Sequence, residues 1–385
     1  MSSLSKPFPA DLRLLTALRA FAALLVVMFH FATRSAPGSV LHTTLVDHGQ
    51  LGVDIFFVLS GFILAHVYLA RCQQGRFSAR DFLINRFARL YPMHLLMLLA
   101  ACASGWFAMM NGRPLEIYGP QMGLDPATGH GILWNLLANL SLTHAWGTTN
   151  SHYFNSVSWS ISAETAAYLL FPLIAAASLA FGEKAKQRLI AALLFYAACE
   201  ISARFVLGNS LNDLSWHFGI FRIVPEFMLG VAFYGLGVAR PLCREKLVWM
   251  APAGLFLGVA LLALGAPAFL MPPVFGGVIL LLASAEREGL LPPARLLDGL
   301  VYLGEISYST YMLHLIFGKI YFNTLARIAG YDPQALPVGQ ILLALVPVLL
   351  VSAVTYHLVE LPGRKLLRDW LHRPFGKTRA VVAAH

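Results

Sequence analysis

The sequence predicts an all-α polytopic membrane bundle of about ten transmembrane helices, with both termini cytosolic. Three observations predict it. The 385 residues are 58% hydrophobic and 12% charged, whereas a soluble domain is typically about 25% charged. Apolar runs long enough for the roughly 20-residue crossing of a bilayer recur from end to end, and mean hydropathy is +0.66. Lysine and arginine are also strongly biased toward alternate connections, as the positive-inside rule requires. A single membrane domain over 1–385 with no appended soluble catalytic domain is the expected organisation.

Spans are expected at 14–34, 51–70, 90–110, 159–181, 189–207, 220–239, 247–265, 270–285, 300–322 and 338–359. The first is too long for a signal-peptide core and reads as a retained span. The segment 132–146, ILWNLLANLSLTHAW, is too short and mixed to cross. Its two tryptophans suit an interfacial or re-entrant helix.

With the N-terminus inside, the inner segments hold Lys6, Arg13, Arg71, Arg76, Arg80, Arg86 and Arg89, and then the basic clusters near 184–188, 240–246 and 364–379. The outer segments hold only Arg34, Arg113, Arg204 and Arg327. The net charge of +9 therefore follows topology and gives no case for a nucleic-acid partner. Cys72, Cys102, Cys199 and Cys243 have no metal-like spacing and imply no disulfide framework. Neither a zinc motif nor a phosphate-binding glycine loop occurs, and no G-x-S-x-G elbow surrounds Ser60. No metal is expected.

Ionisable side chains inside spans are costly and ask for a reason. His30 lies about 6 Å below the outer end of the first span, Asp54 about 4–5 Å into the second, and Glu164 about 7–8 Å into the fourth. They form an expected outer tier of one histidine and two carboxylates. Arg19 lies toward the other end of the first span. It is eleven residues from His30, about 16 Å along the same helix face. Arg86 and Arg89 share a face at the inner entrance to the third span.

This arrangement suits a donor that docks its phosphates on arginines, because guanidinium forks match phosphate oxygens. A flexible arm would carry the reactive group toward His30, and a neutral imidazole there could take a proton from an acceptor hydroxyl. Asp54 or Glu164 could orient the ring. Acyl-CoA fits the description. Plainer readings stand beside these: His30 bonding a backbone carbonyl, Arg86 and Arg89 as positive-inside anchors, Asp54 and Glu164 as helix-end acids, and Ser60–Gly61 as a close helix contact.

The motifs resemble the acyltransferase 3 family, bacterial integral-membrane O-acyltransferases of surface polysaccharides and related glycans. RLLTALRAFAALLVVMFHF resembles the family's first span, with Arg19 and His30 at its paired Arg and His positions. GVDIFFVLSGFIL carries Asp54, Ser60 and Gly61, and NRFARLYP supplies R-x-x-R-x-x-P as Arg86, Arg89 and Pro92. SVSWSISAE supplies Ser158, Trp159 and Glu164, while LGEISYSTYMLH and HLVELPGRK place Tyr308, His314, Glu360 and Pro362.

The resemblance implies transfer of an acyl group, acetyl foremost, from cytosolic acyl-CoA to a hydroxyl of a carbohydrate or lipid-linked glycan on the outer side of a bacterial inner membrane. It implies catalytic roles for His30, Asp54 and Glu164, donor binding by Arg19, Arg86 and Arg89, and substrate contacts from Ser158, Trp159 and Tyr308. His30 would be the general base or would carry the acyl group transiently. Two departures stand out. Some relatives carry an esterase-like domain after the last span, which is not expected here, and Thr165 stands where relatives commonly have a second acid. The alternative is a transporter or flippase of a glycan or anion, which inverted repeats would favour; none is evident. A scaffold gives no reason for ionisable groups at matched depths.

Overall fold

A computed structural model describes residues 7–111, 131–149 and 154–373. Within them the chain is helical, with no strand. The helices are α1 (Arg13–Ala32), α2 (Thr44–Asp47), α3 (Gly52–Gln73), α4 (Ala79–Met110), α5 (Ile132–Leu140), α6 (Trp159–Ala180), α7 (Ala185–Ser202) and α8 (Gly219–Ala239). They continue as α9 (Arg244–Ala263), α10 (Met271–Arg287), α11 (Ala294–Glu305), α12 (Ser307–Ala329), α13 (Val338–Leu343), α14 (Leu345–Thr355) and α15 (Leu361–Leu371). The expected sites at Lys6, Arg113, Lys377 and Arg379 lie outside the described residues.

Among the described residues, nine helical segments are long and apolar enough to cross a bilayer. The chain is a multi-pass membrane protein. The difference from the ten expected spans lies at 300–322. The chain breaks there between Glu305 and Ser307, leaving α11 and α12. Ser307, Ser309, Thr310 and His314 make α12 too polar for a lipid-facing crossing, yet all are buried inside the bundle. Helix α5, nine residues long, is too short to cross a bilayer, as the composition of 132–146 predicts.

The core sits around α1, α3, α8, α10 and α12, while α7, α9 and the 338–371 segment lie at the periphery. Leu173, Leu194, Phe205, Phe256 and Leu350 are exposed on the outside of the bundle, where hydrocarbon would solvate them. Inside, small residues let helices approach. A Cβ on Gly61 of α3 would lie 2.0 Å from the Phe227 carbonyl oxygen, and one on Gly230 of α8 would lie 2.0 Å from that of Val58. The two glycines thus interlock α3 with α8. Glycine is equally required at Gly304, where α11 meets the Thr16 backbone.

Helix α1 carries two expected site residues and begins with orphan N–H groups that need acceptors. Glu286, at the end of α10, supplies them: its carboxylate accepts from Arg13 N at 2.8 Å and Leu14 N at 2.9 Å. Arg13 also pairs with Asp298 on α11. The first helix is thereby fixed by the distant chain.

Candidate active site

A cavity of about 330 Å³ penetrates the bundle between α1, α3, α4, α6 and α12. On α3 its lining runs from Val53 to Val67, which is about 21 Å at 1.5 Å per residue. Its mouth is at Asp11 and His66, where His66 Nε2 lies 3.0 Å from the Pro9 carbonyl. Farther in are three guanidiniums, Arg19, Arg86 and Arg89, with the Glu164 carboxylate among them and that of Asp11 at the mouth.

Arg86 and Arg89 reach the cavity together because their i, i+3 spacing puts them on one face of α4. None of the three arginines has a hydrogen-bond or ion-pair partner among the described residues, and Arg86 Nε is buried without one. The guanidinium of Arg86 lies 5.9 Å from the Tyr68 ring centre. Glu164 accepts from Ser60 Oγ and from Tyr168 Oη, each at 2.6 Å. Arg89, Glu360, Glu164 and Tyr168 all act electrostatically on Arg19. The arrangement is a half-buried chamber with an excess of cationic groups, in which unpaired charge is costly unless an anion completes it.

The far end is closed by Tyr311. Its hydroxyl lies 2.8 Å from Ser160 Oγ and 3.0 Å from the Val157 carbonyl. Beyond it, three residues farther along α12, His314 meets His30: Nε2 of His314 is 3.1 Å from Nδ1 of His30. The tautomers follow from the acceptors. His314 Nδ1 lies 2.6 Å from the Tyr311 carbonyl, which can only accept, so this nitrogen carries the proton. His314 Nε2 is then an acceptor, and it receives the proton of His30 Nδ1, which also faces the Val26 carbonyl at 3.0 Å. In the neutral imidazole of His30 this places the lone pair on Nε2.

The expected outer tier does not assemble. Asp54 is fully buried, but it points away from His30 toward α8. Arg222 grips it through Nε at 3.1 Å and Nη2 at 2.6 Å, and Asn212 Nδ2 donates to it at 2.7 Å. Glu226 stands 3.8 Å from the same guanidinium. Glu164, on α6, turns into the cationic chamber. A second imidazole, that of His314, lies beside His30.

Of the expected substrate-contact residues, Tyr308 lines the cavity while donating to the Leu90 carbonyl at 2.6 Å. Trp159 is buried between Phe57 and the Arg222 guanidinium, which lies 5.3 Å from its ring centre. Ser158 is buried and donates to the Asn155 carbonyl at 2.7 Å. Its oxygen also meets His144 Nε2 at 3.1 Å. His144 lies outside the crossing helices and stacks on His94. Burial, reinforced by His94, pushes its pKa down to about 3.

The structure adds Tyr168, Tyr311 and Ser160 to the cavity, and it gives His314 its place. A lone arginine within the eighth helix was the available signal for a buried acid partner, and Asp54 is that partner. One arrangement on the connection after α1 has the look of a hydrolytic triad: Ser35 Oγ lies 3.2 Å from His42 Nε2, and His42 Nδ1 lies 3.1 Å from Asp47. Ser35 is 4% exposed and donates to the Ala32 carbonyl at 2.8 Å, so it braces the loop and is not presented to a substrate.

Comparison with known proteins decides the class. The profile of the family described as "Acyltransferase domain" matches residues 13–357. The chain belongs to the acyltransferase 3 family. It is similar to the acyltransferase MdmB of Streptomyces mycarofaciens, with 30% identity covering 96% of this chain and 94% of that protein. It is also similar to the putative peptidoglycan O-acetyltransferase YrhL of Bacillus subtilis, at 25% identity over 91% of this chain and 54% of the relative. The O-acetyltransferase OatA of Staphylococcus aureus matches at 23% identity over 91% of this chain and 57% of its own length. The chain thus spans little more than half of these last two relatives. No solved structure matches the chain. The acyltransferase 3 match covers both sides of the site, from Arg19 and His30 on α1 to Tyr311 and His314 on α12.

Proposed function

We propose that this acyltransferase 3 protein moves an acyl group, acetyl foremost, from acyl-CoA on the cytosolic side to a carbohydrate hydroxyl on the outer side. The observation that carries the reading is the cationic chamber. Three guanidiniums with no hydrogen-bond or ion-pair partner among the described residues line a deep, narrow cavity whose closed end lies one helical turn from the His30–His314 pair. A phosphate-bearing donor with a slender arm suits that shape and charge. The basic connections at the mouth end support a cytosolic mouth under the positive-inside rule.

In this reading Arg19, Arg86 and Arg89 bind the donor's phosphates through charge-assisted hydrogen bonds. His30 Nε2 accepts the proton of the acceptor hydroxyl as its oxygen attacks the thioester carbonyl. The new C–O bond forms, the C–S bond breaks, and the proton passes to the departing thiolate. His314 is the orienting residue, keeping the lone pair on Nε2. Glu164 offsets the chamber's charge and fixes Ser60 and Tyr168 in its wall. Asp54 holds α3 to α8 and supports the site from behind Trp159.

The test is transfer of labelled acetyl from acetyl-CoA into a membrane glycan fraction, using inside-out vesicles with wild-type or His30→Ala protein at equal expression. Label in the wild type that disappears in His30→Ala is the expected result. Label persisting in the variant moves the chemistry away from His30. Label in neither rules against acetyl-CoA as donor.

A further inference from the structure

The lining of the cavity reaches Tyr311 but includes neither His30 nor His314. Val53 and Phe56 of α3, Ser160 and Ile161 of α6, and Tyr311 of α12 close it. Tyr311 is 5% exposed, so it fills its position fully. Its phenol is held at the tip by Ser160 and the Val157 carbonyl, and its ring packs edge-on to Phe56 at 6.2 Å between centres. On its other side the ring of His314 is 5.9 Å away. The residue therefore stands between the donor chamber and the histidine pair, which begins about 4.5 Å farther along α12.

Two further facts limit what can move. The Tyr311 carbonyl holds His314 Nδ1, so the backbone cannot shift without disturbing the tautomer chain. The side chain, by contrast, is retained by two hydroxyl contacts and ring packing, borders the open cavity, and can swing into it by rotation about its own bonds. A thioester advancing from the arginines toward His30 must displace that phenol. Its acyl tail must then fit among Val53, Phe56 and Ile161, which line the cavity there, and packed walls resist even one extra methylene.

Resting on the acyl-CoA reading above, we propose that Tyr311, backed by Phe56, sets the acyl chain length by acting as the movable stop of the donor cavity. Short chains pass when the phenol leaves Ser160, and longer ones meet the Phe56 wall. Ring volume carries the selectivity, while the hydroxyl contacts hold the stop closed at rest.

The experiment measures kcat/KM for acetyl-CoA and hexanoyl-CoA in vesicles containing wild-type protein, Tyr311→Phe, Tyr311→Ala or Phe56→Ala. The wild type is expected to favour acetyl. Tyr311→Ala should raise the hexanoyl-to-acetyl ratio by roughly tenfold or more, the scale on which a pocket distinguishes methylenes. Tyr311→Phe should leave that ratio within about twofold, because the ring remains. Phe56→Ala should raise it in the same sense, and it tests the stop independently if Tyr311→Ala does not accumulate in the membrane. Turnover with an unchanged ratio in every alanine variant that accumulates overturns the stop and leaves the acyl-CoA reading intact. A wild-type preference for hexanoyl does the same. Absence of transfer from either donor by the wild type overturns the donor reading, and the stop with it.

Discussion

Two buried charge sites in this bundle are built on opposite terms. Around Asp54, the carboxylate, guanidinium and amide close on one another: Arg222 grips Asp54 with two N–H groups, and Asn212 adds a third donor. Around Arg19, Arg86 and Arg89, the guanidiniums face open volume, and among the described residues no carboxylate forms an ion pair with them, although Asp11 and Glu164 line the same cavity. Both sites are expensive to place in a membrane. The first settles its cost internally and so reads as architecture. The second leaves its cost outstanding and so reads as a binding site. Residue type and depth alone do not separate them; the direction of the side chain does.

Substitutions can break that contrast. His30→Ala should reduce acyl transfer at least about a hundredfold, within the range for loss of a general base, with no loss of thermal stability in detergent. Arg222→Leu should do the reverse. Leaving Asp54 buried without its partner costs about 3–5 kcal/mol, read as a large fall in the unfolding midpoint. Adding Asp54→Leu to Arg222→Leu should recover much of that loss, because it removes the stranded charge. A double variant no more stable than Arg222→Leu would show that Asp54 is not what the substitution strands.

Smaller effects sharpen the comparison. Arg86→Ala or Arg89→Ala should raise KM for acyl-CoA about 10–100-fold, since a hydrogen bond to a charged group contributes about 1.5–3 kcal/mol, while the midpoint without donor stays near wild type. Desulfo-CoA at a hundred times its Kd should stabilise the wild type by about 2.7 kcal/mol, and less so either arginine variant at the same concentration. His314→Ala should lower kcat more than it raises KM, and His314→Gln, which can still accept at a similar position, should restore part of it.

The smallest effect is a pH dependence at His144. Its folded pKa of about 3 lies below the ordinary 6.5 of histidine. Between those values the unfolded chain binds a proton that the folded chain refuses, so stability is full above about pH 6.5 and falls as pH drops through that window. The midpoint measured from pH 7.5 to 5 should therefore decline less steeply in His144→Gln than in the wild type.

The sequence made the depth of each charged group legible but not its azimuth. Apolar length predicted the crossing helices, and the mixed composition of 132–146 predicted a segment that stops short. The i, i+3 spacing placed Arg86 and Arg89 on one face, and both do enter the cavity. Asp54 shows the limit, because a helix position fixes how far along the axis a side chain lies, whereas its partner depends on which helix packs on that face. His30 and His314 are 284 residues apart, beyond the reach of any local pattern. The expected span at 300–322 merged two helices because hydropathy averages over the break at Glu305–Ser307. It also could not distinguish a polar helix enclosed by neighbours from one exposed to lipid.

The cap on α1 has a consequence for biogenesis. Helix α1 leaves the ribosome well before α10, and the carboxylate that satisfies its leading N–H groups belongs to Glu286, 272 residues later than Leu14. At about 5–20 residues synthesised per second, α1 waits on the order of tens of seconds for that cap, and His30 waits longer still for His314. Nascent chains stalled before α10 would hold Arg19 and His30 on a helix not yet anchored at its start. The α1 side of the site is thus anchored at its start only once α10 has been made.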